Sequence, residues 1–389
     1  MTEAIPINPD VLKWARKTAG LRVDDVVKKM KRKRVTTETI LSWENGQDSP
    51  SYPQLERIAY EIYKRPLALF FFPDPPEEES PKQSFRTLPD IALEQLPSRL
   101  LFLIRKSRAL QLNLADLLEG TNPSPRQIVH DLSFEPAASS DEMASAVRDY
   151  LKVDLSTQIS WKDSEEALKN WRNTLEECGV FVFKDAFRVD GFSGFCLYDD
   201  VFPLIYVNNS SSKNRQIFTL FHELAHLIFQ TGGIDTPDDT YLRYLEGTNH
   251  QIEVLCNRFA GGFLVPGDDF DKVARNITVN DDTIIELAHR YHVSREVILR
   301  KLLNQSAISQ ETYDAKLSKW RKSGHKSAGA GGDYYRNIGA YLSGRYLETV
   351  FAHYYQNRLT TEQVADYLGI KVKSIPGLEN VFLSKGGAA

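Results

Sequence analysis

Two histidines and a glutamate stand together in His222-Glu223-Leu224-Ala225-His226. Histidines four apart lie on one face of a helix, roughly 6 Å apart, close enough to share one metal ion. Between Arg215 and Asp235 these three are the only ionisable side chains. Around them Ile217, Phe218, Leu220, Phe221, Leu224, Ala225, Leu227, Ile228 and Phe229 are apolar nearly all round, the pattern of a buried helix. Burying three polar side chains without partners costs several kcal/mol, and a cation supplies the missing partner. The chemistry on offer is metal-assisted hydrolysis, with Glu223 as the base. The plain alternative is a buried helix whose histidines are satisfied by carbonyls or carboxylates.

Two histidines are too few for a stable zinc site, which takes three protein ligands plus water. Glu246, His250, Glu253 and His289 follow in the chain. Glu253 is favoured. It opens a helix whose core stripe is Ile252, Leu255, Cys256, Phe259, Phe263 and Leu264. Glu253 and Asn257 share the flanking face one turn apart, so the amide can orient the carboxylate. Glu246 and His250 adjoin a Gly-Thr-Asn loop and are less restrained.

The elements that must position these residues are mainly helical. Pro97 to Leu118 carries leucines at mixed three and four spacing, Ser139-Ser140-Asp141-Glu142 caps a helix to about Val153, and Ser164 to Glu177 forms another. Val180 to Phe183, Gly194 to Tyr198 and Pro203 to Val207 are short β-rich runs, read as a small antiparallel sheet ahead of the metal helix. Either of the last two strands could receive an extended substrate by strand addition. Asp281 to His292 and Ser294 to Asn304 form a helix pair. A helical tail spans 333–389, with helices near Tyr334–Gln356 and Thr360–Leu368, behind a Gly/Ser-rich linker at 322–332. The fold class is therefore α+β, mostly α-helical, in two or three domains over 389 residues.

At the N-terminus, short helices follow one another: Asn8-Pro9 to Thr18, Val23 to Met30, Thr37 to Asn45, and a fourth after Pro50 and Pro53. The net charge of −4 conceals an asymmetry. Residues 1–65 carry 13 Lys/Arg against 9 Asp/Glu and the remainder 35 against 43, and six of those basic residues lie between Lys28 and Arg34. A basic head on an acidic body points to nucleic acid. Residues 73–90, rich in Pro and Glu, read as a linker between a head at 1–72 and a body at 91–310. Three cysteines, Cys178, Cys196 and Cys256, suit a reducing compartment. No run approaches the ~20 apolar residues that span a bilayer, and Met-Thr-Glu-Ala-Ile-Pro is no signal peptide. A cytoplasmic protein without a membrane partner is expected.

The head resembles the Cro/C1-type (XRE) helix-turn-helix family, through Leu41-Ser42-Trp43-Glu44-Asn45-Gly46, Pro50 and Leu55-Ile58-Ala59. That resemblance implies binding to double-stranded DNA through residues 1–72. Thr36, Thr37, Glu38, Thr39 and Ser42 would face bases, and Lys31, Arg32, Lys33 and Arg34 phosphates. The turn before Thr37 is one or two residues longer than the family pattern, and basic. Such heads often pair, so a homodimer is expected.

Residues 193–305 resemble the ImmA/IrrE metallopeptidase family. The matching text is Gly194-Phe195-Cys196-Leu197, Pro203 to Asn208, Arg215 to Leu227, and Glu253 to Ala260 with Leu264-Val265-Pro266. The resemblance implies a zincin-like body, a zinc ion on His222, His226 and Glu253, and Glu223 as catalytic base. Manganese or another divalent ion suits the same donors. Tyr206 and His250 are candidates for the oxyanion donor. The substrate implied is a helix-turn-helix repressor or antitoxin-like regulator, cut to release gene expression in a stress response. The alternative is a DNA-binding regulator whose metal site is structural or sensory, though a structural site has no need of Glu223.

Overall fold

The computed structural model describes residues 5–32, 34–85, 93, 96–235, 245, 247–275, 278–323 and 334–386. The chain divides into two compact units, residues 1–84 with 89–106, and residues 85–88 with 107–389. Both are mostly helical. Among the described residues no helix is long and apolar enough to cross a membrane, and the three cysteines are unbridged and buried.

The first unit is a bundle of short helices. Asn8 caps Pro9–Thr18 by accepting from the Asp10 amide at 2.9 Å, and Pro9 adds a ready-set φ at the first turn. Val23–Met30 ends at Lys31, in the left-handed region. Thr36 and Thr39 cap Thr37–Glu44 reciprocally. Tyr52–Glu56 runs on as a wider turn, Arg57–Tyr63. Val11, Ala15, Val26, Ile40, Trp43 and Ile58 are among the side chains that close the core. Glu44, 4 % exposed, is held there by Arg16 in a two-pronged pair at 2.6 and 2.9 Å. The unit extends beyond the expected head. Glu78, expected in a solvated linker, pairs with Arg65, and Arg105 of helix Ser98–Leu117 donates to the carbonyls of Thr18 and Tyr63.

The second unit holds a four-stranded sheet in the order β1-β3-β2-β4, with β1 Phe181–Asp185, β2 Gly194–Leu197, β3 Leu204–Asn208 and β4 Gly233–Asp235. β1 runs parallel to β3 while the other pairs are antiparallel. The sheet is thus mixed, which corrects the antiparallel expectation. The chain after β1 turns back through β2 before β3, so β3 lies between them and shares its direction with β1. β2 and β3 each have both edges paired, so neither can accept a substrate strand. Among the described residues, the strand edges without a strand partner belong to β1 and β4.

Side-chain alternation sorts the sheet into two faces. Val182, Cys196, Ile205 and Val207 join the main core with helices Lys213–Ile228 and Gly247–Leu264. The other face is aromatic: Phe195 stacks on Tyr206 at 5.2 Å and also meets Phe187 and Phe85. Trp171, of helix Ser164–Glu177, meets Phe221 edge-on at 4.9 Å, and Phe221 stacks on Phe263 at 4.1 Å. These three rings tie helix Ser164–Glu177 to the two that carry the site. The tail packs within this unit too, for Arg172 donates to the carbonyls of Ala340 and Leu342. One helix expected near 334–356 is two, Tyr334–Tyr341 and Gly344–Tyr355. Ser343 breaks it by capping the second, accepting from the Tyr346 amide at 3.2 Å.

Candidate metal centre

Helix Lys213–Ile228 starts under a Ser212 cap, and every residue from Thr219 to Ile228 is buried. The four-residue spacing therefore places His222 and His226 on one face, as the sequence requires, with their rings 4.9 Å apart. The next long helix, Gly247–Leu264, brings Glu253 to the same point. One donor atom from each of His222, His226 and Glu253 lies within 4.8 Å of the others. The closest approaches are 3.2 Å between the two Nε2 atoms, 3.3 Å from His226 Nε2 to Glu253 Oε1, and 3.8 Å from His222 Nε2 to Glu253 Oε2. Ligands on a tetrahedral ion at ~2.0–2.1 Å stand ~3.3 Å from one another. The donor set fits a zinc-sized ion.

Protons and hydrogen bonds agree with that reading. Thr231 Oγ1 donates to the His226 carbonyl at 3.1 Å and stands 3.3 Å from His226 Nδ1. The hydroxyl has one hydrogen, so it accepts from Nδ1–H, and Nε2 is the ring nitrogen turned toward Glu253. Burial would lower the basicity of His226, but Cys256 and Glu253 beside it carry its pKa well above the usual imidazole value. His222 goes the other way, lowered chiefly by burial. A proton shared between His226 and Glu253 thus occupies the charge balance that a cation would take.

Glu223 points into the same space without being part of the triad. Neither carboxylate oxygen meets an N–H or O–H donor among the described residues. Burial raises its pKa to about 8, helped by the negative charges of Asp235 and Glu253. A buried carboxyl beside a donor triad, with no N–H or O–H donor holding it among the described residues, is placed to take a proton and give it back.

The wall of the site is β4, which lies along this helix face. A Cβ on Gly233 would stand 2.4 Å from His226 Cδ2 and 2.8 Å from Glu223 Oε2. The Gly233 amide donates to Cys196 Sγ at 3.2 Å. Sequence reasoning gave no site role to Gly233, Asp235, Cys196 or Thr231. The Gly232-Gly233 pair at the start of β4 is the local signal for it.

The remaining candidates fall elsewhere. Tyr206 lies on the aromatic sheet face, turned away from the metal helix, which removes it as an oxyanion donor. His289 is exposed on helix Asp281–Tyr291 and outside the donor cluster. His250 is exposed one turn before Glu253 on the same helix. Asn257 is half-buried one turn after Glu253. On this helix Cys256 stands with Glu253 beside His226, and both raise its pKa. Glu246 lies outside the described residues.

In the first unit, Lys31, Arg32, Arg34, Thr36 and Glu38 are exposed, and Thr37, Thr39 and Ser42 half-buried; Lys33 lies outside the described residues. Thr36 and Thr39 spend their hydroxyls on the helix cap, Thr37 donates to Asp24 at 3.1 Å, and Ser42 to the Thr39 carbonyl at 2.8 Å.

A family match falls in the second unit. Residues 175–303 match the IrrE N-terminal-like domain, a span that contains the whole donor cluster and β4. Over 112 residues the chain is 32 % identical to the radiation response metalloprotease IrrE of Deinococcus deserti, and 30 % identical to that of Deinococcus radiodurans. The aligned stretch is 28 % of this chain and covers 39 % and 34 % of those two relatives.

Proposed function

We propose that the second unit is a zinc-dependent endopeptidase whose substrate is a helix-turn-helix repressor or antitoxin-like regulator, and that the first unit carries the enzyme to double-stranded DNA. The observation that carries the hydrolytic reading is the convergence of His222, His226 and Glu253 with Glu223 beside them and outside the triad. A divalent ion held there would act as a Lewis acid toward water and a peptide carbonyl. Glu223 takes the proton of the attacking water at a carboxylate oxygen and returns it to the leaving amine. Thr231 keeps the His226 ring in the tautomer that presents Nε2. An extended substrate pairs with the edge of β4 that has no strand partner among the described residues, where Gly233 leaves the carboxylate room. His250, one turn from Glu253, is the remaining candidate to hold the oxyanion.

Helix Thr37–Glu44 enters the major groove, with Lys31, Arg32, Lys33 and Arg34 on phosphates. The support is exposure: Glu38 and Leu41 stand clear of the bundle while Ile40, Trp43 and Glu44 are buried.

Full burial of the site favours a second reading. His222 is 1 % exposed and Glu223, His226 and Glu253 are 0 %, so substrate reaches them only after the covering chain opens, whereas a structural or sensory ion needs no opening. Incubation with a helix-turn-helix regulator as candidate partner separates the two. Wild-type protein with zinc is expected to cut that partner, and Glu223→Gln or chelated protein to leave it whole. Equal survival of the partner with wild type and Glu223→Gln would leave a metal-sensing regulator.

A further inference from the structure

Asp235 ends β4 and is 2 % exposed. Two groups of the metal helix grip its carboxylate: Arg215 Nη2 donates to Oδ1 at 2.5 Å and Thr219 Oγ1 to Oδ2 at 2.6 Å. Arg215 Nε also donates to Ser193 Oγ at 2.8 Å, and the Ser193 amide to the Asp235 carbonyl at 2.8 Å. Positions 215, 219, 222 and 226 follow a three- and four-residue spacing, so the clamp and the two histidines share one helix face. β4 lies along that face, with Asp235 at Arg215 and Thr219 and Gly233 at Glu223 and His226.

We propose that Asp235, held by Arg215 and Thr219, is a positioning residue for the metal centre. It fixes the β4 wall so that Gly233 stays packed against the His226 ring and the Glu223 carboxylate. The inference rests on the metal reading of the second unit. Among the described residues β4 has three residues and one strand partner, β2, so the ladder described there is short. The clamp supplies what the ladder lacks. Asp235 pairs with Gly194, and a Cβ on Gly194 would stand 2.4 Å from Thr219 Cγ2. Helix and sheet therefore touch closely at the clamp, as they do at Gly233, and a shift of β4 there is transmitted two residues along to Gly233.

Three variants test this in the full chain: Thr219→Val, which removes the hydroxyl and keeps the methyl on Gly194; Thr219→Ser, which does the reverse; and Asp235→Asn. The readouts are zinc affinity by chelator competition and the visible spectrum of the cobalt-substituted protein, which reports ligand geometry. Thr219→Val and Asp235→Asn are expected to weaken zinc binding by about 10- to 100-fold and to change the cobalt spectrum, while Thr219→Ser stays within about threefold of wild type. Wild-type affinity and spectrum in Thr219→Val would overturn the proposal, and so would an equal loss in Thr219→Ser, which would make the contact one of packing. Should Asp235→Asn not fold, the two threonine variants decide alone. A wild-type chain that binds no zinc takes down the metal reading and the clamp together, whereas zinc-binding variants indistinguishable from wild type remove the clamp only.

Discussion

Replacing Gly233 by alanine adds one methyl group at the most crowded point of the site. Its Cβ would stand 2.4 Å from His226 Cδ2, 2.6 Å from His226 Cγ and 2.8 Å from Glu223 Oε2. Carbon atoms in contact normally sit ~3.5–4 Å apart, so something must give by about 1 Å. The ring cannot yield cheaply, because Thr231 holds Nδ1 and the imidazole packs among fully buried side chains. β4 cannot move away without loosening its pairs with β2 and the Asp235 grip. Overpacking of this kind costs about 1–3 kcal/mol. Displacement of the ring should also lower zinc affinity by roughly 10- to 100-fold. Gly261 is the control: it lies inside helix Gly247–Leu264 with nothing within 4 Å of its Cβ position, so Gly261→Ala should stabilise by up to about 1 kcal/mol. Thermal melts with chelator and with zinc, together with chelator competition, measure both effects. If Gly233→Ala melts with wild type and binds zinc as tightly, β4 is not the wall of the centre.

Further outcomes follow from the charges. Glu223→Gln should retain stoichiometric zinc while losing cleavage by at least about 10²- to 10⁴-fold, the typical worth of a positioned base; undiminished cleavage would assign the proton transfer to another group. In the chelated protein, burial holds the Glu223 pKa at about 8 against an ordinary 4.5. A carboxyl raised on folding favours the folded state while protonated, so this contribution is present below pH 4.5 and lost as pH climbs through about 8. Chelated wild type should therefore lose stability relative to Glu223→Gln between those limits, and parallel melting curves at pH 5 and pH 8 would contradict the burial argument. In the first unit, Lys31→Ala, Arg32→Ala and Arg34→Ala together should weaken duplex binding and flatten the plot of log affinity against log salt by about 0.9 for each phosphate no longer neutralised. An unchanged slope would place the DNA-binding surface elsewhere or nowhere.

The sequence by itself determined the parts of this protein that depend on near neighbours along the chain. His222 and His226 share a face because they are four apart in a helix, and the apolar residues around them require burial whatever packs on it. Ser139 and Ser294 start helices by local hydrogen bonds, and those starts were legible for the same reason. Glu253 was singled out by its place beside a core stripe, with family likeness narrowing the choice; its meeting with the histidines is a matter of how two helices pack. Only the tertiary structure decided β4, because Gly-Ile-Asp is too short to carry a strand signal. It exists as a strand where β2 offers an edge and Arg215 and Thr219 capture Asp235. The parallel pairing of β1 with β3, and with it the turning of Tyr206 away from the metal, was equally out of reach. Alternation along a strand says which side chains share a face, but which face meets the helix depends on contacts between residues far apart in the chain.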